Sequence, residues 1–121
     1  MITFICYDRC STCQKAEKWL LEHGIAYEKR PIKSQNPSGE ELKCWLARSG
    51  LPVRRFINTS GMRYRELQLK DRLPQMGDDE ILSLLATDGM LVKRPILVTD
   101  TAVLPGFREK DWEEALEFSA R

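Results

Sequence analysis

Hydrophobic positions along this chain follow two different periods, and the switches between them outline its elements. Ile2-Thr3-Phe4-Ile5-Cys6 is a short apolar run that predicts a buried strand. Over 11–23 the period lengthens. Ala16, Trp19, Leu20 and His23 fall at helical spacing and share one face, and Gly24 is placed to end the helix. Ile25 to Arg30 reads as a second strand, stopped by Pro31, which has no N–H for a ladder bond. Strand, helix and strand in so short a span make a βαβ unit, whose two strands are expected to run parallel.

The next stretch is helical. After a polar loop from Ile32 to Pro37, Ser38-Gly39-Glu40-Glu41 has capping-box spacing and predicts a helix to about Ser49. Leu42, Trp45 and Leu46 form its apolar side, and Gly50 and Pro52 end it. From Val53 to Met76 the pattern is weaker, and short helices broken at Gly61 and Pro74 fit it best. Arg54, Arg55, Arg63, Arg65, Lys70 and Arg72 fall there. A solvated helical surface accounts for them; a partner or anion surface is the sharper alternative. Asp78 is expected to cap a helix over 79–86 striped by Ile81, Leu82, Leu84 and Leu85, with Asp88-Gly89 closing it. Ile96-Leu97-Val98 predicts a strand, Asp100-Thr101 a hairpin turn, Ala102-Val103-Leu104 the partner strand, and Pro105-Gly106 a break. A last helix is expected over 108–120, with Trp112, Ala115, Leu116 and Ser119 on one face.

A length of 121 residues fits one domain, with enough chain to bury a core. Nineteen basic and eighteen acidic residues nearly cancel, which argues against a basic surface for direct nucleic-acid binding. Met1 to Ile5 carries no secretory-leader pattern and no apolar run approaches membrane-spanning length, so a cytoplasmic protein without a membrane segment is the expectation. Thiols are mostly kept reduced in that compartment, so the four cysteines are not read as a disulfide framework.

Cys10-Ser11-Thr12-Cys13 is the pair with chemical meaning. It lies where the first strand hands over to the first helix. The free N–H groups and partial positive charge of a helix start stabilise a thiolate, lowering its pKa and raising its reactivity. Cys6, in the strand, and Cys44, in a helical pattern, read as small packing residues. A zinc half-site is the first alternative, but no second ligand pair accompanies it. An inert pair of small residues at a helix start is the other. His23, the only histidine, reads as a helix-end residue bonding carbonyls rather than a base. Thiolate activation therefore falls to the helix end and local N–H groups. The Ser11 and Thr12 hydroxyls either reach the thiolate or cap the helix, and capping is preferred.

The order βαβ, helical stretch, ββα, with a cysteine pair opening the first helix and Pro95 opening the third strand, resembles the thioredoxin-like α/β fold. That fold is a four-stranded mixed sheet with flanking helices. The resemblance implies a cis Arg94–Pro95 bond, with Pro95 beside the cysteines. It becomes more specific with Cys10 to Ala16, Asn58-Thr59-Ser60-Gly61, Ala86-Thr87-Asp88-Gly89-Met90, Leu91-Val92-Lys93-Arg94-Pro95-Ile96 and Gly106-Phe107-Arg108. On these segments the chain is similar to the arsenate reductase-like and Spx-like family, and the Asn58 to Met62 segment resembles a less characterised subgroup of it. The resemblance implies a single domain over 1–121 with a helical insertion at about 38–88.

Two functions follow from that resemblance. In the glutaredoxin-dependent arsenate reductases, the cysteine matched by Cys10 attacks arsenate, and arginines surround the sulfur. Arg94 matches one of them and Arg108 lies near the position of another, whereas Asn58 stands where a further arginine is expected, and those reductases have no partner matching Cys13. The implied activity is a cytosolic thiol–disulfide oxidoreductase with Cys10 as nucleophile, Cys13 as resolving thiol and Arg94 as anion or thiolate stabiliser. Arg108 and Asn58 are further anion-site candidates. No metal and no tightly bound cofactor is implied; glutathione, a small thiol or a glutaredoxin- or thioredoxin-type redoxin supplies electrons. The alternative is a redox-sensing regulator like Spx, which carries the C-x-x-C switch and binds the C-terminal domain of the RNA polymerase α subunit. Gly50 and Arg94 are the nearest matches to the residues that matter there.

Overall fold

Strand β1 (Thr3–Cys6) lies inside a four-stranded mixed sheet of order β2-β1-β3-β4. It runs parallel to β2 (Glu28–Pro31) and antiparallel to β3 (Ile96–Val98), which pairs antiparallel with β4 (Val103–Pro105). The structure is a computed structural model that describes residues 1–120, of 117–120 the backbone alone. Among the described residues the α-helices are α1 (Ser11–Glu22), α2 (Gly39–Ser49), α3 (Met62–Glu66), α4 (Leu69–Arg72), α5 (Asp78–Leu85) and α6 (Glu109–Ala120). The chain divides into two compact units, Met1–Pro31 with Arg94–Arg121 and Ile32–Lys93. The second extends beyond the 38–88 insertion at both ends.

In the sheet unit, Phe4, Ile5 and Cys6 are all buried. A central strand covered on both faces needs a continuous apolar run rather than alternation, which is what Phe4-Ile5-Cys6 supplies. Phe4, Cys6 and Leu97 pack with Cys13, Ala16, Trp19 and Leu20 of α1 and with Trp112 and Leu116 of α6. Ser119, expected on the same face, lies outside the described side chains. The aromatic rings meet edge to face, with Trp112 against Phe4, Trp19 and Phe107. The Trp112 Nε1–H donates to the Gly106 carbonyl at 3.0 Å, so the ring is buried without a stranded polar atom.

Helix α1 ends as expected. Gly24, at φ 65°, donates to Leu21 O at 3.1 Å, and Ile25 N–H donates to Leu20 O at 3.0 Å. This paired closure is the Schellman arrangement, and it uses Ile25, from which a strand was expected to start. β2 accordingly starts at Glu28 rather than Ile25. Pro31 is its last residue rather than its stop, because β2 is an edge strand, where a proline nitrogen can face away from the ladder. His23 caps α1 from outside the core: it is exposed, stacks on Trp19 at 4.0 Å, and holds Nδ1 2.8 Å from the Trp19 carbonyl.

In the helical unit the capping box is present in full. Ser38 Oγ accepts from Glu41 N–H, and Glu41 Oε1 accepts from Ser38 N–H, each at 3.1 Å. The short helices α3 and α4 are flanked by single 3-10 turns at Val53–Phe56 and Leu73–Gln75. Arg54, Arg65, Lys70 and Arg72 are exposed, while Arg63 bridges Glu66 at 2.9 Å and Asp88 at 3.1 Å. Gly77, not Asp78, occupies the N-cap of α5; Asp78, Asp79 and Glu80 form its acidic first turn, favourable beside the helix dipole. Asp88 opens a 3-10 turn over Gly89–Leu91 by accepting from Met90 N–H at 2.9 Å, rather than closing the preceding helix. Gly89 has no space for a side chain: a Cβ there would stand 2.6 Å from the Ile32 carbonyl oxygen and from Asn36 Oδ1. Cys44 is exposed on α2, contrary to the packing role expected of it, because the helix turns Leu42 and Trp45 inward instead.

Candidate active site

The turn between β1 and α1 sets the site. Cys10 N–H closes it on the Tyr7 carbonyl at 3.0 Å, and Cys10 itself becomes the N-cap of α1, with φ −91° and ψ 119°. Its sulfur takes the place that a serine or aspartate oxygen takes in other caps, accepting from Cys13 N–H at 3.4 Å. Ser11 and Thr12, expected to do the capping, are the first two helical residues instead. No acidic side chain stands in the first turn of α1 to oppose a negative sulfur.

The two sulfurs are in opposite electrostatic states. Burial works against a charged Cys10, but it is outweighed by hydrogen bonds from the Cys13 backbone, the Cys13 side chain and the Thr12 backbone and by the Arg94 charge, so its pKa is lowered. Cys13 is 3% exposed, and burial pushes its thiol up to about 12, although Tyr7 N–H donates to its sulfur at 3.4 Å. One cysteine is thus held towards thiolate and its neighbour towards thiol, and both are free. Cys6, behind them on β1, is also buried, and burial raises its thiol to about 11.

A lowered pKa means that the thiolate fraction, and with it the alkylation rate, rises with pH through a midpoint below the ~8.5 of free cysteine. Iodoacetamide labelling of Cys10, followed by peptide mass spectrometry across pH, is expected to give that lower midpoint. A midpoint at or above ~8.5 contradicts the geometry.

Arg94 and Pro95 enter from the start of β3. The Arg94–Pro95 peptide is cis, as the resemblance implied. The Arg94 guanidinium carbon lies 5.3 Å from the centroid of the Tyr7 ring, within cation–π range. Tyr7 therefore holds the arginine through its ring and the Cys13 sulfur through its backbone. Arg108 is exposed immediately before α6, and its carbonyl accepts from Trp112 N–H. Asn58 belongs to the helical unit. There its Nδ2 donates to the Met90 carbonyl at 3.1 Å and its Oδ1 accepts from Ser60 Oγ at 3.3 Å.

Beside Cys13 a cavity of about 210 Å³ is lined by Cys6, Asp8, Cys13, Gln14, Glu17 and Lys29 among others. Glu17 and Lys29 were not singled out in the sequence. The signal was present in part, since Glu17 follows Cys13 by four residues and so shares its helix face. The partner could not be read, because Lys29 arrives through the β1–β2 register. Among the described residues, no group of three or more His, Cys, Asp and Glu side chains is disposed to hold a metal ion. Likewise, no helix among them is long and apolar enough to cross a membrane.

Comparison with known proteins agrees with this fold. The ArsC family model matches residues 6–115. An ArsC family related protein of known structure from Bacteroides fragilis is 53% identical, with a TM-score of 0.92 over 93% of this chain and 95% of its own. The arsenate reductase from Vibrio cholerae is 28% identical, with a TM-score of 0.79 over 96% and 95%. The global transcriptional regulator Spx of Staphylococcus epidermidis is 30% identical over 92% of this chain and 83% of its own length. The chain belongs to the ArsC family.

Proposed function

We propose that this protein is a cytosolic thiol–disulfide oxidoreductase of the arsenate reductase-like kind, in which Cys10 attacks and Cys13 resolves. The observation that carries this reading is the unequal pair: a Cys10 sulfur capping α1 with Arg94 charge nearby, and a Cys13 kept as thiol. The Cys10 thiolate attacks one sulfur of a disulfide R–S–S–R′, forming Cys10–S–S–R and expelling R′S⁻. Cys13 then loses its proton and attacks the Cys10 sulfur, forming the Cys10–Cys13 disulfide and expelling RS⁻. The substrate gains two electrons and the pair loses two. Two glutathione molecules, or one redoxin dithiol, return them. Arg94 stabilises the thiolate and any oxyanion, arsenate included, presented to it, and Arg108 is the further candidate anion contact.

Redox titration with thiol trapping and mass spectrometry tests this. A Cys10–Cys13 disulfide is expected to form in a single two-electron step, with a potential comparable to the cytosolic poise. Absence of that linkage at every potential defeats the reading. The similarity to Spx supports a second one, a redox-sensing regulator that docks on the C-terminal domain of the RNA polymerase α subunit. It requires binding to that domain that differs between oxidised and reduced protein. The oxidoreductase requires turnover with a disulfide or arsenate and a thiol donor.

A further inference from the structure

Resolution requires the Cys13 thiol to give up a proton, yet its surroundings keep it protonated. Cys13 is nearly inaccessible, and Tyr7 N–H, Cys10, Cys6 and the cavity surround its sulfur. The cavity offers a polar route by which that proton can leave. Two carboxylates line it. Asp8 is exposed, with a side chain 81% accessible, whereas Glu17 is at 28% and fixed at both oxygens. Tyr27 O–H donates to its Oε2 at 2.7 Å, and Lys29 Nζ donates to its Oε1 at 3.1 Å. Lys29 also lies 3.5 Å from Asp8. Neither donor competes for the role: burial and then the bond to Glu17 raise Tyr27 to about 12, and the bond to Glu17 raises Lys29. At about 30 Å³ per molecule the cavity has room for several waters.

We propose that Glu17 is the proton acceptor for Cys13 during resolution, acting through water in the cavity that both residues line. The proton passes from Cys13 Sγ through water to a Glu17 carboxylate oxygen. The freed electron pair forms the Cys13–Cys10 bond, and the Cys10–S–R bond breaks with its pair leaving on RS⁻. Tyr27 and Lys29 hold the carboxylate in place, and Tyr7, Asp8, Cys6, Cys10 and Arg94 are other titratable or charged groups around the sulfurs. The inference rests on the reading of Cys10 and Cys13 given above.

The test uses stopped-flow release of nitrothiobenzoate from dithiobis(nitrobenzoate), with one equivalent of reagent and Cys44→Ser protein, so that the exposed thiol is silent. The first phase reports attack by Cys10 and the second reports resolution by Cys13. Glu17→Gln is expected to slow the second phase about 10²-fold near neutrality and to leave the first unchanged, which also reports an intact fold. Its second phase is expected to accelerate with hydroxide across the pH range, whereas the parent's second phase depends on hydroxide less steeply. Glu17→Asp is expected to recover part of the rate, and Asp8→Asn to leave both phases as in the parent. Equal second phases with equal pH profiles in the parent and Glu17→Gln overturn the role of Glu17 alone, as does slowing by Asp8→Asn instead. A parent protein with no second phase overturns the cysteine-pair reading beneath it.

Discussion

Cys10→Ser is expected to lose disulfide turnover by about 10³-fold or more, in the range that removal of a catalytic nucleophile costs other enzymes. A serine hydroxyl at the same N-cap still accepts the Cys13 N–H, so the helix keeps its cap and the fold stays intact. What disappears is the anion: a hydroxyl is not appreciably ionised by the forces that lower a thiol. Cys13→Ser is expected to fail differently. The backbone bond from residue 13 to the Cys10 sulfur survives, and so does a side-chain donor, so the first attack proceeds at close to the parent rate. The reaction then stops at Cys10–S–S–R, visible by mass spectrometry as one retained substrate thiol. Parent-like turnover by Cys10→Ser, or a Cys13→Ser variant that cycles without accumulating the adduct, would remove the assigned roles.

Trp112→Ala is the substitution expected to cost the most stability, about 3–5 kcal/mol. Trp112 is fully buried, touches the rings of Phe4, Trp19 and Phe107, and satisfies the Gly106 carbonyl. Truncation removes those contacts, opens a cavity between α1, α6 and the sheet, and leaves a buried acceptor without its donor. Against the total of about 5–15 kcal/mol typical of a domain, this leaves little margin. Chemical denaturation is expected to show the midpoint falling sharply, with Trp112→Phe intermediate because it restores a ring but not the N–H. A Trp112→Ala loss below about 1 kcal/mol contradicts the packing described.

The N-terminal and C-terminal parts of the chain were legible because their signals are local. The Cys10–Cys13 spacing, Gly24, the capping box at Ser38 and the hairpin around Asp100-Thr101 each depend on residues within one or two turns of one another. The errors also have local causes. The Schellman closure claimed Ile25 before β2 could, and a glycine took the cap where an aspartate was the stronger expectation. What could not be read was long-range. Lys29 reaches Glu17 only because the parallel register sets it opposite Phe4, on the face that α1 covers. Nothing in the spacing of Glu17, Tyr27 and Lys29 shows that they converge beside Cys13. Cys6 was read correctly as buried and Cys44 was not, because helical periodicity over so short an apolar stripe leaves that face unassigned.

Both outer strands of the sheet finish on a proline, Pro31 on β2 and Pro105 on β4. Neither residue can offer an N–H to an incoming strand, and each outer strand is only three or four residues long. The sheet is thereby poorly suited to recruiting an extended segment of another polypeptide, its own unfolded copies included. A free, partly accessible sulfur with a lowered pKa, such as that of Cys10, is open to covalent cross-linking with neighbouring copies. Short, proline-terminated margins remove the β-pairing that would otherwise bring two such sulfurs repeatedly together, and so favour exchange with passing thiols over self-association.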